Sequence, residues 1–126
     1  MIVLDASALL ALLFDEDGAA AVEDALVDGA AMGVVNLAEV LTRLVDFGVS
    51  PEEAWERVSA LPILFIEADQ RLSLEVARLR AGSRSAGLSL GDRACLALGR
   101  VRGEPVLTGD RRWAALDLDV EVRLIR

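Results

Sequence analysis

The sequence of 126 residues contains no histidine and no lysine, and its single cysteine is Cys95. Without histidine, the chain cannot form a Ser-His-Asp triad or activate a cysteine nucleophile with an imidazole base. One cysteine also excludes an internal disulfide framework, which fits a reducing compartment. Any catalysis by this chain must therefore rely on its carboxylates and on what those carboxylates hold.

Aromatic residues and long apolar runs are scarce as well. Aromatics make up 4% of the chain against 54% hydrophobic residues in all, so aliphatic side chains must fill the core. The apolar stretch at residues 8–14 is too short to span a bilayer and lacks the basic flank of a signal peptide. We therefore expect a single domain over residues 1–126 that is cytoplasmic and has no membrane partner.

Positive charge is scarce in the first part of the chain. The formal net charge of −8 argues against broad, sequence-blind binding of nucleic acid. Residues 1–70 hold fourteen acidic residues and two arginines, whereas residues 71–126 hold seven acidic residues and eleven arginines. The acidic part could bind a metal or a basic partner. The arginines could hold phosphates or, like Arg78, Arg80 and Arg84, only solvate one face of a helix.

Short apolar runs alternate with segments of helical period along the chain. Strands are predicted at residues 2–4, 31–35, 63–66, 106–107 and 120–124. Helices are predicted at residues 6–14, 18–27, 36–47, 50–61, 69–83 and 89–101, with a short helical turn at 111–116. This alternation predicts an α/β fold of three layers, α/β/α, around a central, mainly parallel sheet of four to five strands.

Four acidic residues lie where the predicted strands give way to helices: Asp5, Glu39, Asp92 and Asp110. Because ligands of open α/β sheets bind at the carboxyl ends of the strands, the four side chains are expected to meet at one edge of the sheet. Carboxylates gathered in a low-dielectric cleft take up protons unless a cation lies among them. Oxygen ligands without His or Cys favour Mg²⁺ or Mn²⁺, and such a site suits in-line attack on a phosphodiester.

Each acid also has a purely structural interpretation. Glu39 follows Asn36, and Asp92 follows Ser89, at the spacing of a helix cap and an acid three positions later. Asp5 could cap the helix after it, and Asp110 could be an ordinary turn residue. Four such coincidences in one small chain favour a shared site, and a helix N-terminus can serve both roles.

Four segments carry a family resemblance that covers essentially the whole chain. They are Val3-Leu4-Asp5-Ala6-Ser7-Ala8-Leu9, Asn36-Leu37-Ala38-Glu39-Val40, Leu88-Ser89-Leu90-Gly91-Asp92-Arg93-Ala94 and Leu107-Thr108-Gly109-Asp110-Arg111-Arg112-Trp113. In this order and at this spacing they resemble a PIN domain, and specifically a VapC-type toxin ribonuclease. The resemblance implies a PIN-like fold and an endoribonuclease dependent on Mg²⁺ or Mn²⁺.

The resemblance also implies roles for individual residues. The catalytic acids would be Asp5, Glu39, Asp92 and Asp110. Asp5 and Asp92 would be the metal ligands, and Thr108 would position substrate or water. Asp117 and Asp119 lie close enough in sequence to replace Asp110 as the fourth acid.

The implied partners are an RNA of the tRNA or rRNA class, a cognate antitoxin whose tail places a basic side chain in the acidic pocket, and a second copy in a homodimer. Apolar residues of the helices at 6–14 and 36–61 would supply such an interface or would simply be core. The alternative function is a non-catalytic PIN-like module that uses the acidic pocket for a basic peptide or a metal. A receiver-like signalling module is disfavoured because it would need a lysine late in the chain.

Overall fold

A computed structural model of the chain describes residues 1–83 and 86–126. Arg84, considered above as part of a solvated helix face, lies outside the described residues. The strands are β1 (Ile2–Leu4), β2 (Ala30–Gly33), β3 (Ile63–Ile66), β4 (Val106–Thr108) and β5 (Val122–Leu124). The helices are α1 (Ala6–Leu13), α2 (Ala19–Asp28), α3 (Val34–Asp46), α4 (Pro51–Ser59), α5 (Gln70–Ser83) and α6 (Leu90–Arg102), with a 3₁₀ helix at Arg111–Ala115.

The five strands form one parallel sheet in the order β3-β2-β1-β4-β5. In the centre, Val3 of β1 pairs with Ala31 of β2 on one side and with Val106 of β4 on the other. The predicted α/β fold with a parallel central sheet is therefore confirmed. Within the described ranges, no helix is both long enough and apolar enough to cross a membrane.

Helices cover both faces of the sheet because the strands are apolar on both faces. Side chains alternate along β1, so that Ile2 and Leu4 face one hydrophobic cluster and Val3 faces the other. The first cluster joins the sheet to α1, α2, α3 and α4, and the second joins it to α5, α6 and the 3₁₀ helix. Trp113 of the 3₁₀ helix is fully buried in the second cluster. The three predicted layers are thus present, each held by aliphatic packing.

The junction of β2 with α3, the end of α4 and the start of β5 each lie two residues from their predicted positions. β2 ends at Gly33 and α3 begins at Val34, although the two β-branched valines had favoured a longer strand. Val35 packs against the second hydrophobic cluster from the helix, so tertiary burial outweighs its strand propensity. At the other edge, β5 begins at Val122, after Asp119 has adopted a positive φ of 56°.

The order of the strands locates the site. The chain first moves outward from β1 to β2 and β3, and then crosses over to β4 on the other side of β1. In open α/β sheets this reversal opens a crevice at the carboxyl ends of the two central strands. Here these are β1, which ends before Asp5, and β4, which ends at Thr108, and the Asp5 amide donates to the carbonyl of Leu107 at 3.1 Å.

Candidate active site

The structure brings all four predicted acids to one cavity of about 150 Å³. It is lined by Asp5, Glu39, Asp92 and Asp110, together with Ala6, Ser7 and Asn36. Asp5 follows β1, Asp110 follows β4, Glu39 lies on α3, and Asp92 lies in the first turn of α6. The crevice between β1 and β4 therefore collects carboxylates from segments that are far apart in the sequence.

Asp5 is the most buried of the four acids, with 5% of its surface exposed. It is the N-cap of α1, and its Oδ1 accepts from the Ala8 amide at 2.8 Å. The Ser7 hydroxyl donates to Oδ1 at 2.7 Å, and the Thr108 hydroxyl donates to Oδ2 at 2.6 Å. Burial raises the pKa of Asp5 to about 6, against the lowering effect of these hydrogen bonds. Ionising this carboxyl is costly, and a cation bound beside it would offset that cost.

Asp92 forms a capping box with Ser89 at the start of α6. Its Oδ2 accepts from the Ser89 amide at 2.9 Å, and its own amide donates to the Ser89 hydroxyl at 3.1 Å. The structural interpretation of Asp92 is therefore confirmed, yet the same residue lines the acidic cavity. The positive end of the α6 dipole favours negative charge at this position.

Glu39 is not part of a capping pair, contrary to one interpretation of the sequence. Because α3 begins at Val34, Asn36 lies within the helix rather than at its cap. The buried Asn36 amide donates from Nδ2 to Glu39 Oε1 at 2.8 Å and to the Gly91 carbonyl at 3.0 Å. The carboxylate of Glu39 packs over Gly91, where a Cβ would lie 2.6 Å from Glu39 Cδ. Asn36 and Gly91 thus set the position of Glu39 and tie α3 to α6.

Asp110 caps the 3₁₀ helix and is held by Arg112. Its Oδ1 accepts from the Arg112 amide at 3.1 Å, and its Oδ2 accepts from Arg112 Nη2 at 2.7 Å. Hydrogen bonding to this guanidinium lowers the pKa of Asp110. Of the three candidates for the fourth acid, Asp110 lines the acidic cavity, whereas Asp119 lines a separate cavity beside Gly103 and Asp117 lines neither.

Two hydroxyl groups join these acids beneath the cavity. Thr108 is fully buried, and its hydroxyl donates to Asp5 and accepts from the Asp110 amide at 3.0 Å. Ser7 donates to Asp5 and accepts from the Gly109 amide at 2.9 Å. The Thr108 hydroxyl therefore contacts two of the acids, and its role toward water or substrate stays a prediction.

Sequence reasoning missed Ser7, Asn36 and Gly91 as members of the site. Ser7 could have been found from the sequence, because it lies only two residues after Asp5, the acid that follows the first strand. Asn36 could have been found too, because residues three apart face the same side of a helix, and Glu39 is its i+3 neighbour. Gly91 could not, since only the packing of α3 on α6 shows what lies over its Cα.

The residues fit a hard divalent cation in their chemistry, although the site is not pre-assembled. All available donors are oxygens, and the Asn36 Oδ1 atom is buried without a hydrogen-bond partner in the described part of the chain. Within residues 1–83 and 86–126, however, no group of three or more His, Cys, Asp or Glu side chains is arranged to hold a metal ion. Asp5, Asp92 and Asp110 instead accept hydrogen bonds from the protein, which a cation would have to replace in part.

Cys95 lies close enough to the acids for their negative charge to affect its thiol. It is fully buried, and burial together with the charges of Asp5, Asp92 and Glu39 raises the pKa of its thiol. A thiol held in its neutral form is a poor nucleophile. The cysteine is therefore a packing residue of α6, as the absence of histidine had indicated.

Comparison with known proteins agrees with this geometry. The PIN domain family matches residues 2–118. A ribonuclease VapC of Mycolicibacterium smegmatis is 30% identical over 113 residues, which are 83% of this chain and 88% of that protein.

Two solved structures have the same fold. A chain of VapBC-5 from Mycobacterium tuberculosis, a member of the VapBC family of toxin–antitoxin systems, is 28% identical with a TM-score of 0.64, covering 99% of this chain and 97% of that one. A chain of DNA-bound VapBC from Salmonella typhimurium superposes with a TM-score of 0.77 over the full length of both chains. Its identity of 13% limits that likeness to the fold.

Proposed function

Because this chain belongs to the PIN domain family, we propose that it is a metal-dependent endoribonuclease and the toxin of a type II toxin–antitoxin system. The observation that carries the proposal is the convergence of Asp5, Glu39, Asp92 and Asp110 on one cavity at the carboxyl ends of β1 and β4. The ribonuclease VapC that is 30% identical to this chain supports the same reaction class. The proposed reaction is hydrolysis of an RNA phosphodiester bond by water.

Asp5 and Asp92 are the proposed holders of Mg²⁺ or Mn²⁺. A metal bound there would lower the pKa of a water and offset negative charge on the attacking and leaving oxygens. The chain prepares Asp5 for this role by orienting its carboxylate with Ser7, Ala8 and Thr108. The capping box with Ser89 orients the Asp92 carboxylate at the N-terminus of α6.

Glu39 and Asp110 have different proposed roles toward the attacking water. The lowered pKa of Asp110 keeps this carboxylate ionised and makes it a weak base, so it is suited to orienting water rather than to taking a proton. Glu39, held by Asn36 at 2.8 Å, is the better-placed candidate for accepting the proton of the attacking water. Thr108 is proposed to act through Asp5, because its hydroxyl is buried against that carboxylate.

The proposed partners are a structured RNA of the tRNA or rRNA class, a cognate antitoxin and a second copy of this chain. The VapBC complexes that share the fold support an antitoxin, and a basic side chain of that antitoxin would complement the acidic cavity. Val45, an exposed apolar side chain of α3, is available for either protein contact. Light scattering over micromolar concentrations tests the homodimer, which a monomer throughout the range would exclude.

Cleavage of RNA by the purified chain tests the central proposal. We expect cleavage in Mg²⁺ or Mn²⁺, none in EDTA, and a loss of cleavage in Asp5→Asn and Asp92→Asn. Undiminished cleavage by either variant would overturn the assignment of the site. A chain that binds Mg²⁺ or a basic peptide without cleaving any RNA would instead be the non-catalytic module.

A further inference from the structure

Beside the acidic site lies a second cavity, of about 370 Å³, that the proposed reaction does not use. Its lining includes Ser7, Phe14, Glu16, Arg43, Phe47 and Arg126. We propose that this cavity, hereafter the flanking cavity, binds one nucleotide of the RNA next to the bond that is cut. The inference rests on the proposed function, since it names a substrate contact for the same site.

The two cavities meet at Ser7. This residue lines both of them, and its hydroxyl donates to the Asp5 carboxylate at 2.7 Å. A strand whose phosphate lies at Asp5 therefore has its next nucleotide within reach of the flanking cavity. Its volume also falls within the range of sites for small organic ligands, about 300–1,000 Å³.

The flanking cavity offers aromatic faces that water reaches. Phe14 and Phe47 are 37% and 63% exposed, and their ring centroids lie 4.9 Å apart at a tilt of 47°. A pair of exposed aromatic rings is a platform on which a base can stack. The base identity matters little to such stacking, because every base has a π-face.

The flanking cavity also carries positive charge in an otherwise acidic region. Arg43 is one of only two arginines among residues 1–70, and its guanidinium lies 5.2 Å from the centroid of the Phe47 ring. It takes part in none of the ion pairs found among residues 1–83 and 86–126. Arg43 is therefore available to a phosphate while its guanidinium lies over the ring.

Arg126 lies on the side of the flanking cavity nearest to β4. Its Nη1 donates to the Asp17 carbonyl at 2.8 Å, and its Nη2 would lie 3.1 Å from a Cβ on Gly109. The guanidinium thus covers the residue that follows Thr108. Arg43 and Arg126 outnumber the one acid of the lining, Glu16, so the flanking cavity is positive where its neighbour is negative.

This contrast favours a polyanion over a basic peptide as the occupant. Arginines of a peptide would be repelled by Arg43 and Arg126, although they would be attracted by the acidic cavity. An RNA strand would be attracted by these two arginines, but the four carboxylates of the acidic cavity would repel its phosphates. Favourable contacts of a base with Phe47 and of a phosphate with Arg43 would offset that repulsion.

Binding of a short, fluorescein-labelled single-stranded RNA, followed by fluorescence anisotropy in EDTA, tests the proposal without cleavage. Phe47→Leu should weaken binding about tenfold through the loss of stacking, with an unchanged salt dependence. Arg43→Gln should weaken binding and reduce the slope of log K against log salt by about 0.7, the value of one phosphate contact on a single strand. In Mg²⁺ both variants should raise KM for RNA cleavage and leave kcat near that of the unmodified chain.

The chain offers a matched control for each variant. Arg57→Gln removes the same charge from α4, where Arg57 pairs with Glu53, and Trp55→Leu removes a half-exposed aromatic ring that packs on Phe65. Neither residue lines the flanking cavity, so both controls should bind RNA within about twofold of the unmodified chain. Circular dichroism checks that all four variants are folded, which the exposure of the substituted side chains favours.

The outcomes separate this inference from the proposed function. RNA affinity and salt slope that stay unchanged in Phe47→Leu and Arg43→Gln overturn the nucleotide site, even if the unmodified chain cleaves RNA. Loss of affinity in both variants, from a chain that cleaves nothing, supports the nucleotide site and refutes the nuclease. If the two substitutions weaken only the binding of an arginine-containing peptide, the flanking cavity is a protein-binding site and the inference is wrong.

Discussion

The two ends of the parallel sheet both carry a cavity and acidic residues, but only one end has the chemistry of a site. The cavity at the amino ends of β1, β2 and β4 has about 430 Å³ and includes Asp24, Asp28 and Arg123 in its lining. The acidic cavity at the carboxyl ends has about 150 Å³. Asp24 and Asp28 are exposed, whereas Asp5 is buried and its pKa is raised to about 6. Volume is therefore a poorer guide to function here than the cost of charging a carboxyl.

The difference between the two ends has a structural cause. In a parallel sheet covered by helices, the strands end where the following helices begin, so amide dipoles of several elements point at the same crevice. Asp5 caps α1, Asp92 lies in the first turn of α6, and Asp110 caps the 3₁₀ helix. At the opposite end, Asp28 is the last residue of α2, where the dipole disfavours an anion. The acids thus gather at the end where backbone amides can donate to them, although burial still makes the ionisation of Asp5 costly.

The largest expected effect comes from substituting an acid of the acidic cavity, with an acid at the other end of the sheet as the control. Asp92→Asn should lower the rate of RNA cleavage by about 100-fold or more, as does the loss of other charged groups that stabilise a transition state. Asp24→Asn, which removes the same charge at the other cavity, should leave the rate within about twofold. Single-turnover cleavage with saturating Mg²⁺ measures both. Comparable losses in the two variants would mean that net charge, not the acidic cavity, governs the reaction.

The buried Asp5 predicts a dependence of stability on pH in the metal-free chain. Its pKa in the folded state, about 6, lies above the 3.8 of an ordinary, solvated aspartate. The stabilising effect of the protonated carboxyl is therefore fully present below that lower value and is lost as the pH rises through 6. Asp5→Asn should be more stable than the unmodified chain by roughly 3 kcal/mol at about pH 8, and by little at about pH 4.

Urea denaturation in EDTA at the two pH values measures this difference in the free energy of unfolding. The same substitution at Asp28, which is exposed at the other end of the sheet, is the control and should shift stability little at either pH. Added Mg²⁺ should stabilise the unmodified chain at the higher pH and have less effect on Asp5→Asn. A gain from Asp5→Asn that is equal at both pH values would show that burial does not control this carboxyl.

Two glycines lie on α6, Gly91 beside the acidic cavity and Gly99 against the core, and their substitution should have different effects. A Cβ at Gly91 would collide with the Glu39 carboxylate, whereas a Cβ at Gly99 would lie 2.5 Å from Val106 Cγ1 and 3.0 Å from the Glu104 carbonyl. Glu39 is flexible at its end and can move away, but the strand cannot. Gly91→Ala should therefore reduce kcat about tenfold by displacing Glu39. Gly99→Ala should instead cost about 1–3 kcal/mol of stability.

Thermal denaturation and cleavage kinetics of the two variants test this pair together. Gly99 lies in the interior of α6 and Gly91 in its first turn, so the gain in helix propensity favours Gly99→Ala and works against the predicted loss of stability. Full activity in Gly91→Ala would show that the exact position of Glu39 is unimportant for the reaction. Loss of activity in a stable Gly99→Ala variant would show that the packing of α6 on β4, and not contact with Glu39, controls the acidic cavity.

The parallel architecture and the meeting of the four acids at one edge of the sheet could be predicted from the sequence, because both depend on local patterns. Apolar runs such as Ile63–Ile66 identify strands, and an acid just after a strand lies at its carboxyl end in any parallel sheet. The start of α3 depends instead on the packing of Val35 against the second hydrophobic cluster, which no local pattern contains. The same is true of the hydrogen bond from Asn36 to the Gly91 carbonyl, which joins residues 55 positions apart. Contacts between distant segments decide how the acids are held.

The smallest expected effect comes from removing a helix cap. The comparison is between α6, which contributes to the acidic cavity, and α4, which does not. Ser89 caps α6 and Ser50 caps α4, each by accepting from the amide of the acid three positions later. Ser89→Ala and Ser50→Ala should each cost about 1 kcal/mol of stability. Only Ser89→Ala should also lower cleavage, by roughly threefold, because the first turn of α6 positions Asp92. Equal activity in the two variants at a temperature well below unfolding would mean that the backbone amide of residue 89, which alanine retains, suffices to hold the Asp92 carboxylate.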